Sequence, residues 1–130
     1  MDDAIAKLLR HLPRLQDGSV EWATIKSPPG EFLYVEYSRE ALDVLDALGH
    51  AGLLTVFDWQ SWSADAEAFL QHVDRIALAD LGTLRKLVTA IVRADRFSEG
   101  TLLRGFETGA IRAIVERLQF LSASSRERRE

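Results

Sequence analysis

Between Leu81 and Val92 the apolar residues Leu81, Leu84, Leu87, Val88, Ile91 and Val92 fall on one arc of about 140° when wound at the helical period. A helix with that stripe has to bury it, so this segment anchors a packed core. Asp80 precedes the stripe and is placed to cap its first turn, where a side-chain oxygen accepts from N–H groups that lack a carbonyl partner. Arg85, Lys86 and Arg93 lie together on the opposite side. The constraint sharpens at the far end, because a continuing helix would carry Asp95 into the apolar arc. Either the helix stops before Asp95, or the carboxylate is buried and takes a partner such as Arg96 or Arg104, since an unpaired buried charge is costly.

Asp95 sits in the run Ala94-Asp95-Arg96-Phe97-Ser98-Glu99-Gly100, which mixes both charge signs with a hydroxyl, an aromatic ring and a glycine. Together with Arg93, Arg104 and Glu107 it forms a polar junction whose candidate residues are Arg93, Asp95, Arg96, Ser98, Glu99, Arg104 and Glu107. Ser98 reads as the cap of a new helix that turns Leu102, Leu103 and Phe106 inward, and Gly109 suits a turn at its end. A last helix starts near Ala110, with Ile111, Ile114, Val115, Leu118 and Leu121 as its packing stripe. Helix end, cap and charged corner coincide at the junction. That makes it either a capping and ion-pair network, which is the more economical reading, or a small-ligand or partner surface.

Upstream, Ile5, Leu8, Leu9, Leu12 and Leu15 share a helical stripe that Pro13 disturbs. Val20–Ile25 and Phe32–Tyr37 read as short extended pieces, and Ser27-Pro28-Pro29-Gly30 reads as the turn of one hairpin between them. Ser38 caps the next helix, with Glu40 in its first turn and Ala41, Leu42, Leu45 and Leu48 as its buried stripe. A short helix covers 64–71. Before it, Phe57-Asp58-Trp59-Gln60-Ser61-Trp62 gathers aromatic area around Asp58. Trp59 and Trp62 are candidate contact residues for a ligand, although locking this connection onto the core is the plainer role. The fold class is mostly α: about five helices in a compact body with one short β-hairpin.

A length of 130 residues and 47% hydrophobic content fit a single helical domain, taken as residues 1–121, with a polar tail at 122–130. The net charge of −4 hides a division: residues 1–79 carry thirteen acids against six bases, and residues 80–121 carry seven bases against five acids. The tail alternates sign. There is no cysteine, which excludes disulfides, thiol chemistry and thiolate-bound zinc within the chain and fits a reducing compartment. The acidic start and the early Lys7 and Arg10 do not fit a secretory signal, and no segment reaches the ~20 apolar residues of a membrane span. A cytoplasmic location without membrane association is the expectation.

The segments Tyr34-Val35-Glu36-Tyr37-Ser38, Phe57-Asp58-Trp59-Gln60-Ser61-Trp62 and Ala79-Asp80-Leu81-Gly82-Thr83-Leu84-Arg85-Lys86-Leu87 resemble a bacterial family of small domains of unknown function. The resemblance continues through Val92–Gly100, Phe106-Glu107-Thr108-Gly109 and Ile114-Val115-Glu116-Arg117-Leu118. It implies a shared small-domain fold, with no activity and no catalytic residues to carry over.

Function therefore has to be read from the residues. For an enzyme, Asp95, Glu99 and Glu107 offer acids and Arg93, Arg96 and Arg104 offer anion donors. No activator stands beside Ser98. His11, His50 and His72 have no metal-ligand spacing, and Gly100, Gly105 and Gly109 lack the lysine and hydroxyl of a phosphate loop. No metal or cofactor is expected. Arg85, Lys86, Arg93 and Arg96 form a candidate anion-binding face for nucleic acid or an anionic ligand, against the grain of an acidic chain. The preferred reading is a small interaction or accessory domain with a protein partner. Self-association through Leu118, Phe120 and Leu121 is a further option.

Overall fold

The N-terminal apolar stripe is divided between two helices, α1 (Asp3–Leu9) and α2 (Leu12–Leu15). Pro13 stands in the first turn of α2, the one place in a helix where a missing N–H costs nothing. Leu8 and Leu12 are the buried members of the stripe. In the computed structural model, residues 3–96 and 100–129 are described, with side chains as far as Ser124. After α2 the chain turns at Asp17, whose carboxylate accepts from the N–H and hydroxyl of Ser19 at 2.9 and 2.7 Å.

The two extended pieces pair as an antiparallel hairpin, β1 (Ala23–Lys26) with β2 (Tyr34–Tyr37), in the register Ala23↔Tyr37 through Lys26↔Tyr34. Alternation puts Ala23, Val35 and Tyr37 against the core. Toward the turn this inner face loses its cover, and Ile25 and Leu33 are both 63% exposed. Gly30 holds a positive φ of 76° in the connection, a value natural to glycine.

Ser38 accepts from the Ala41 N–H at 3.0 Å and opens α3 (Arg39–His50). The stripe of α3 is Ala41, Val44 and Leu48, while Leu42 is exposed. Leu42 lies about 100° around the helix from Ala41, which takes it off the buried face assigned to it from the sequence. Leu53 is buried after α3, and the Thr55 N–H donates at 2.9 Å to the hydroxyl of Thr89. Thr89 is the buried polar residue among the described core, and this bond ties the connection to the middle of the helix that carries it.

A 3-10 turn (Gln60–Trp62), α4 (Ser63–Gln71) and a 3-10 helix (Val73–Leu78) lead to α5 (Leu81–Asp95). Asp80 caps α5 by accepting from the Thr83 N–H at 2.7 Å. The helices α6 (Thr101–Glu107) and α7 (Ala110–Arg129) follow. The buried side chains form one cluster in which Leu84, Leu87, Val88 and Ile91 of α5 join Ile111, Ile114, Val115 and Leu118 of α7. Helix α7 packs against α1, α2, α5, α6 and the 3-10 helix, so it is the axis of a mostly α, multi-helix body with a short hairpin. Among the described residues, no helix is long and apolar enough to cross a membrane.

The corner from α6 to α7 depends on Gly109, at φ 85°. An added Cβ has open space there, so its cost is backbone strain alone. Gly109→Ala is expected to lower unfolding free energy by about 1–2 kcal/mol; a urea midpoint equal to that of the parent chain would contradict this.

Candidate functional site

Asp95 is the last residue of α5 and is half-buried. Its Oδ1 accepts three hydrogen bonds: from the Tyr37 hydroxyl at 2.8 Å, the Gly100 N–H at 3.0 Å and the Leu102 N–H at 3.0 Å. Tyr37 passes the connection on, because its oxygen accepts from the Leu103 N–H at 3.0 Å. The first N–H groups of a helix have no carbonyl partner within it. At α6 the cap residue is Gly100, with φ 104° and no side chain, so capping has to come from elsewhere. It comes from Asp95 and Tyr37.

This corrects the partner assigned from the sequence. The helix does run to Asp95, but the carboxylate is satisfied by a tyrosine and backbone N–H groups, with neither Arg96 nor Arg104 as its hydrogen-bond partner. Arg96 is exposed at the end of α5. Ser98 and Glu99, the expected cap and a candidate acid, lie outside the described residues.

The rest of the junction is dispersed. Arg104 Nη1 meets Glu67 Oε2 of α4 at 2.7 Å. That hydrogen bond, more than the charge itself, holds the Glu67 carboxyl below its ordinary value and raises the Arg104 guanidinium. The pair stands at a cleft of about 200 Å³ that is also lined by Trp59, Ala66 and Ala94. Glu107 is exposed at the opposite end of α6 from the Asp95 network, about 9 Å along a helix of that length. Arg93 is half-buried on α5. Arg85 Nε donates to the Gly52 carbonyl at 3.2 Å beyond the end of α3, and Lys86 beside it is exposed. Trp62 stands edge-on to Phe57 at 6.2 Å and stacks toward Phe69 at 6.1 Å, which joins the 3-10 turn to α4. Leu118 is buried, so of the residues considered for self-association Phe120 is the exposed one.

A larger concavity lies elsewhere. A groove of about 900 Å³ is enclosed by the 15–22 segment, the 3-10 helix, the α6–α7 corner and α7. Trp22 and Phe106 stack on its floor with ring centroids 4.6 Å apart and planes 13° from parallel. Such a pair contributes about 0.5–1.5 kcal/mol beyond the area it buries. At the α7 side Arg117 donates from Nε to the Ala79 carbonyl at 2.7 Å and lies over the Phe120 ring at 4.9 Å. The rim carries Asp17, Asp74, Glu107 and Glu116 together with Arg112 and Arg117. Of these residues only Glu107 was singled out in the polar junction, and Phe120 as a self-association residue. Four separated segments build the groove, and no local motif announces it.

Among the described residues, no group of three histidine or acidic side chains is arranged to hold a metal ion. Asp95 and Glu107, the two described acids of the junction, are separated by α6 and do not form a carboxylate pair for acid–base chemistry.

Removing the shared acceptor strands the Leu102 and Gly100 N–H groups and the tyrosine hydroxyl. Asp95→Ala is therefore expected to destabilise the fold by about 1–4 kcal/mol and Tyr37→Phe by about 1–2 kcal/mol. The double variant should fall short of the sum, because both act on one network. Chemical unfolding checks this, and additive losses would separate the two residues. Glu67 has a lowered folded value, so its contribution is present above the ordinary 4.5 and is lost as pH falls through the lowered value. The pair is well exposed, so Glu67→Gln should cost less than about 1 kcal/mol at neutral pH and flatten the acid limb of the stability curve. An unchanged acid limb would remove the ion pair from the account.

No curated protein and no solved structure matches this chain. The match to a described family covers residues 1–124, taking in the hairpin, the Asp95 network, both concavities and the helical core. The chain belongs to DUF6508, a family of unknown function.

Proposed function

We propose that this chain is a small interaction domain whose contact surface is the groove along α7. The observation that carries the reading is the combination of an aromatic floor, Trp22 on Phe106, with a rim of charged side chains around about 900 Å³ of open space. An apolar centre inside a polar margin is the anatomy of a selective protein contact. Phe120, 58% exposed at the edge of the groove, supplies the kind of aromatic anchor that such contacts use. The Asp95 junction supports this indirectly: its groups are engaged in holding the hairpin and α6 together, which leaves the groove as the larger surface without an internal occupant among the described residues.

The alternative of nucleic-acid or anionic-ligand binding rests on Arg85, Lys86, Arg93 and Arg96. None of the four lines the groove or the cleft beside Glu67, and Arg85 is already engaged with Gly52. Enzymatic use of the carboxylates at 95–107 is the weakest reading, because the Asp95 Oδ1 is spent on three hydrogen bonds.

Photo-crosslinking tests the proposal. A benzophenone side chain placed in living cells at Gln16, exposed at the edge of the groove, is expected to capture discrete protein adducts. The same group at Asp43, exposed on α3, should not capture them. Equal labelling from both positions, or none from Gln16, would overturn the reading. Adducts whose mass is twice that of the chain would identify self-association as the form the contact takes.

A further inference from the structure

The charges around the groove are not equivalent, because several of them are already committed. Arg112 Nε is 2.9 Å from Glu116 Oε1 one turn along α7, so these two cancel locally. Arg117 is held in place by the Ala79 carbonyl and lies over Phe120, neutral partners that fix its position and leave its charge in the groove. Asp17 is occupied by Ser19, and its other oxygen lies 3.7 Å from Arg14. Of the acids, Asp74 and Glu107 remain. Both are exposed, they come from the 3-10 helix and the end of α6, and neither has an ion-pair partner among the described residues. Among the described residues the rim therefore presents two unpaired carboxylates against the one unpaired guanidinium of Arg117, beside an apolar floor of Trp22, Val73 and Phe106.

That combination selects the occupant. A phosphate backbone or an acidic peptide would set like charges against Asp74 and Glu107, which is costly at a contact surface. A small cation alone would leave the stacked rings unused. A volume of about 900 Å³ accommodates a few side chains and not a folded domain. We propose that the groove binds a basic amphipathic segment of a partner protein, with an apolar or aromatic side chain on the Trp22–Phe106 floor and lysine or arginine directed at Asp74 and Glu107. The inference rests on the reading of the groove as the contact surface and adds the chemistry of what it contacts.

The test is selection of a random peptide display library on the full chain, followed by fluorescence anisotropy of the enriched peptides. Three variants serve as comparisons: Asp74→Lys with Glu107→Lys, the milder Asp74→Asn with Glu107→Gln, and Ala77→Trp, which fills the groove from an exposed position. Circular dichroism melting checks that each folds, and the neutralising pair keeps the test intact if the reversed pair does not. The expected result is enrichment of peptides that combine lysine or arginine with aromatic residues. Their affinity should fall about tenfold or more on charge reversal, by a smaller factor on neutralisation, and steadily with added salt. Peptides blocked by Ala77→Trp but acidic or uncharged, and indifferent to the charge variants, would overturn the basic-segment inference and leave the groove as a contact surface. Peptides that bind the filled variant undiminished, or a selection that enriches nothing, would overturn both.

Discussion

One carboxylate oxygen joins three parts of this molecule, two of them consecutive helices and the third a hairpin residue 58 positions away. Asp95 closes α5, receives the hydroxyl of Tyr37 from the hairpin and caps the first turn of α6. Each of these alone is weak: a two-stranded hairpin is marginal by itself, and a helix as short as Thr101–Glu107 has little intrinsic stability. The network lets each supply what another lacks. The hairpin gains an anchor at its Tyr37 end, where its inner face is covered, while Ile25 and Leu33 at the other end are exposed. Helix α6 gains acceptors for N–H groups that its glycine cap cannot serve. A charged group is better suited than a neutral one here, because hydrogen bonds to an ionised acceptor are stronger and the start of a helix favours negative charge.

The groove depends on the same placement of α6. Phe106 lies one turn beyond Leu102 and Leu103, whose N–H groups the network holds, and Trp22 immediately precedes β1. The stacked pair therefore ties the start of the hairpin to the far end of α6, while Tyr37 ties the end of the hairpin to the beginning of α6. Two attachments between the same elements fix their relative orientation more firmly than one. Gly109 then reverses the chain into α7, whose exposed side forms the opposite wall. The concavity follows from a short helix clamped at both ends against a longer one.

The helices were legible because their signals are local. Ser38 and Asp80 cap helices by accepting from N–H groups three residues ahead, and that spacing is visible in a linear string. Of the stripe from Leu81 to Val92, Leu84, Leu87, Val88 and Ile91 are buried as the periodicity requires, whereas Leu81 in the first turn is exposed and Val92 is half-buried. The proline turn and its flanking β-prone residues likewise mark the hairpin. Asp95 was legible as a problem, a carboxylate entering an apolar arc, but its solution was not. Nearby arginines are the obvious partners in sequence, whereas Tyr37 is 58 residues away and the backbone N–H groups carry no sequence signal. The groove was less legible still. Trp22 is an isolated aromatic within a short extended piece, and only its stacking on Phe106 gives it a place on a shared floor.

Charge shows the same gap between string and fold. The acidic first part of the chain and the mildly basic part that follows do not become two faces. They meet through pairs such as Arg104 with Glu67, and the groove draws Asp17 and Asp74 from one part and Glu107, Arg112 and Glu116 from the other. The field at the groove is set chiefly by which charges remain unpaired. Arg112 and Glu116 lie at the spacing of an intrahelical pair and contribute little field beyond their own turn. Asp74 and Glu107 belong to different elements and are in no ion pair among the described residues; Arg104, three residues before Glu107 on α6, is paired with Glu67 instead. The side chains that line the groove, Asp17, Asp74, Glu107 and Glu116 against Arg112 and Arg117, therefore sum to a negative charge even though α7, which forms one wall of it, begins in the basic part of the chain.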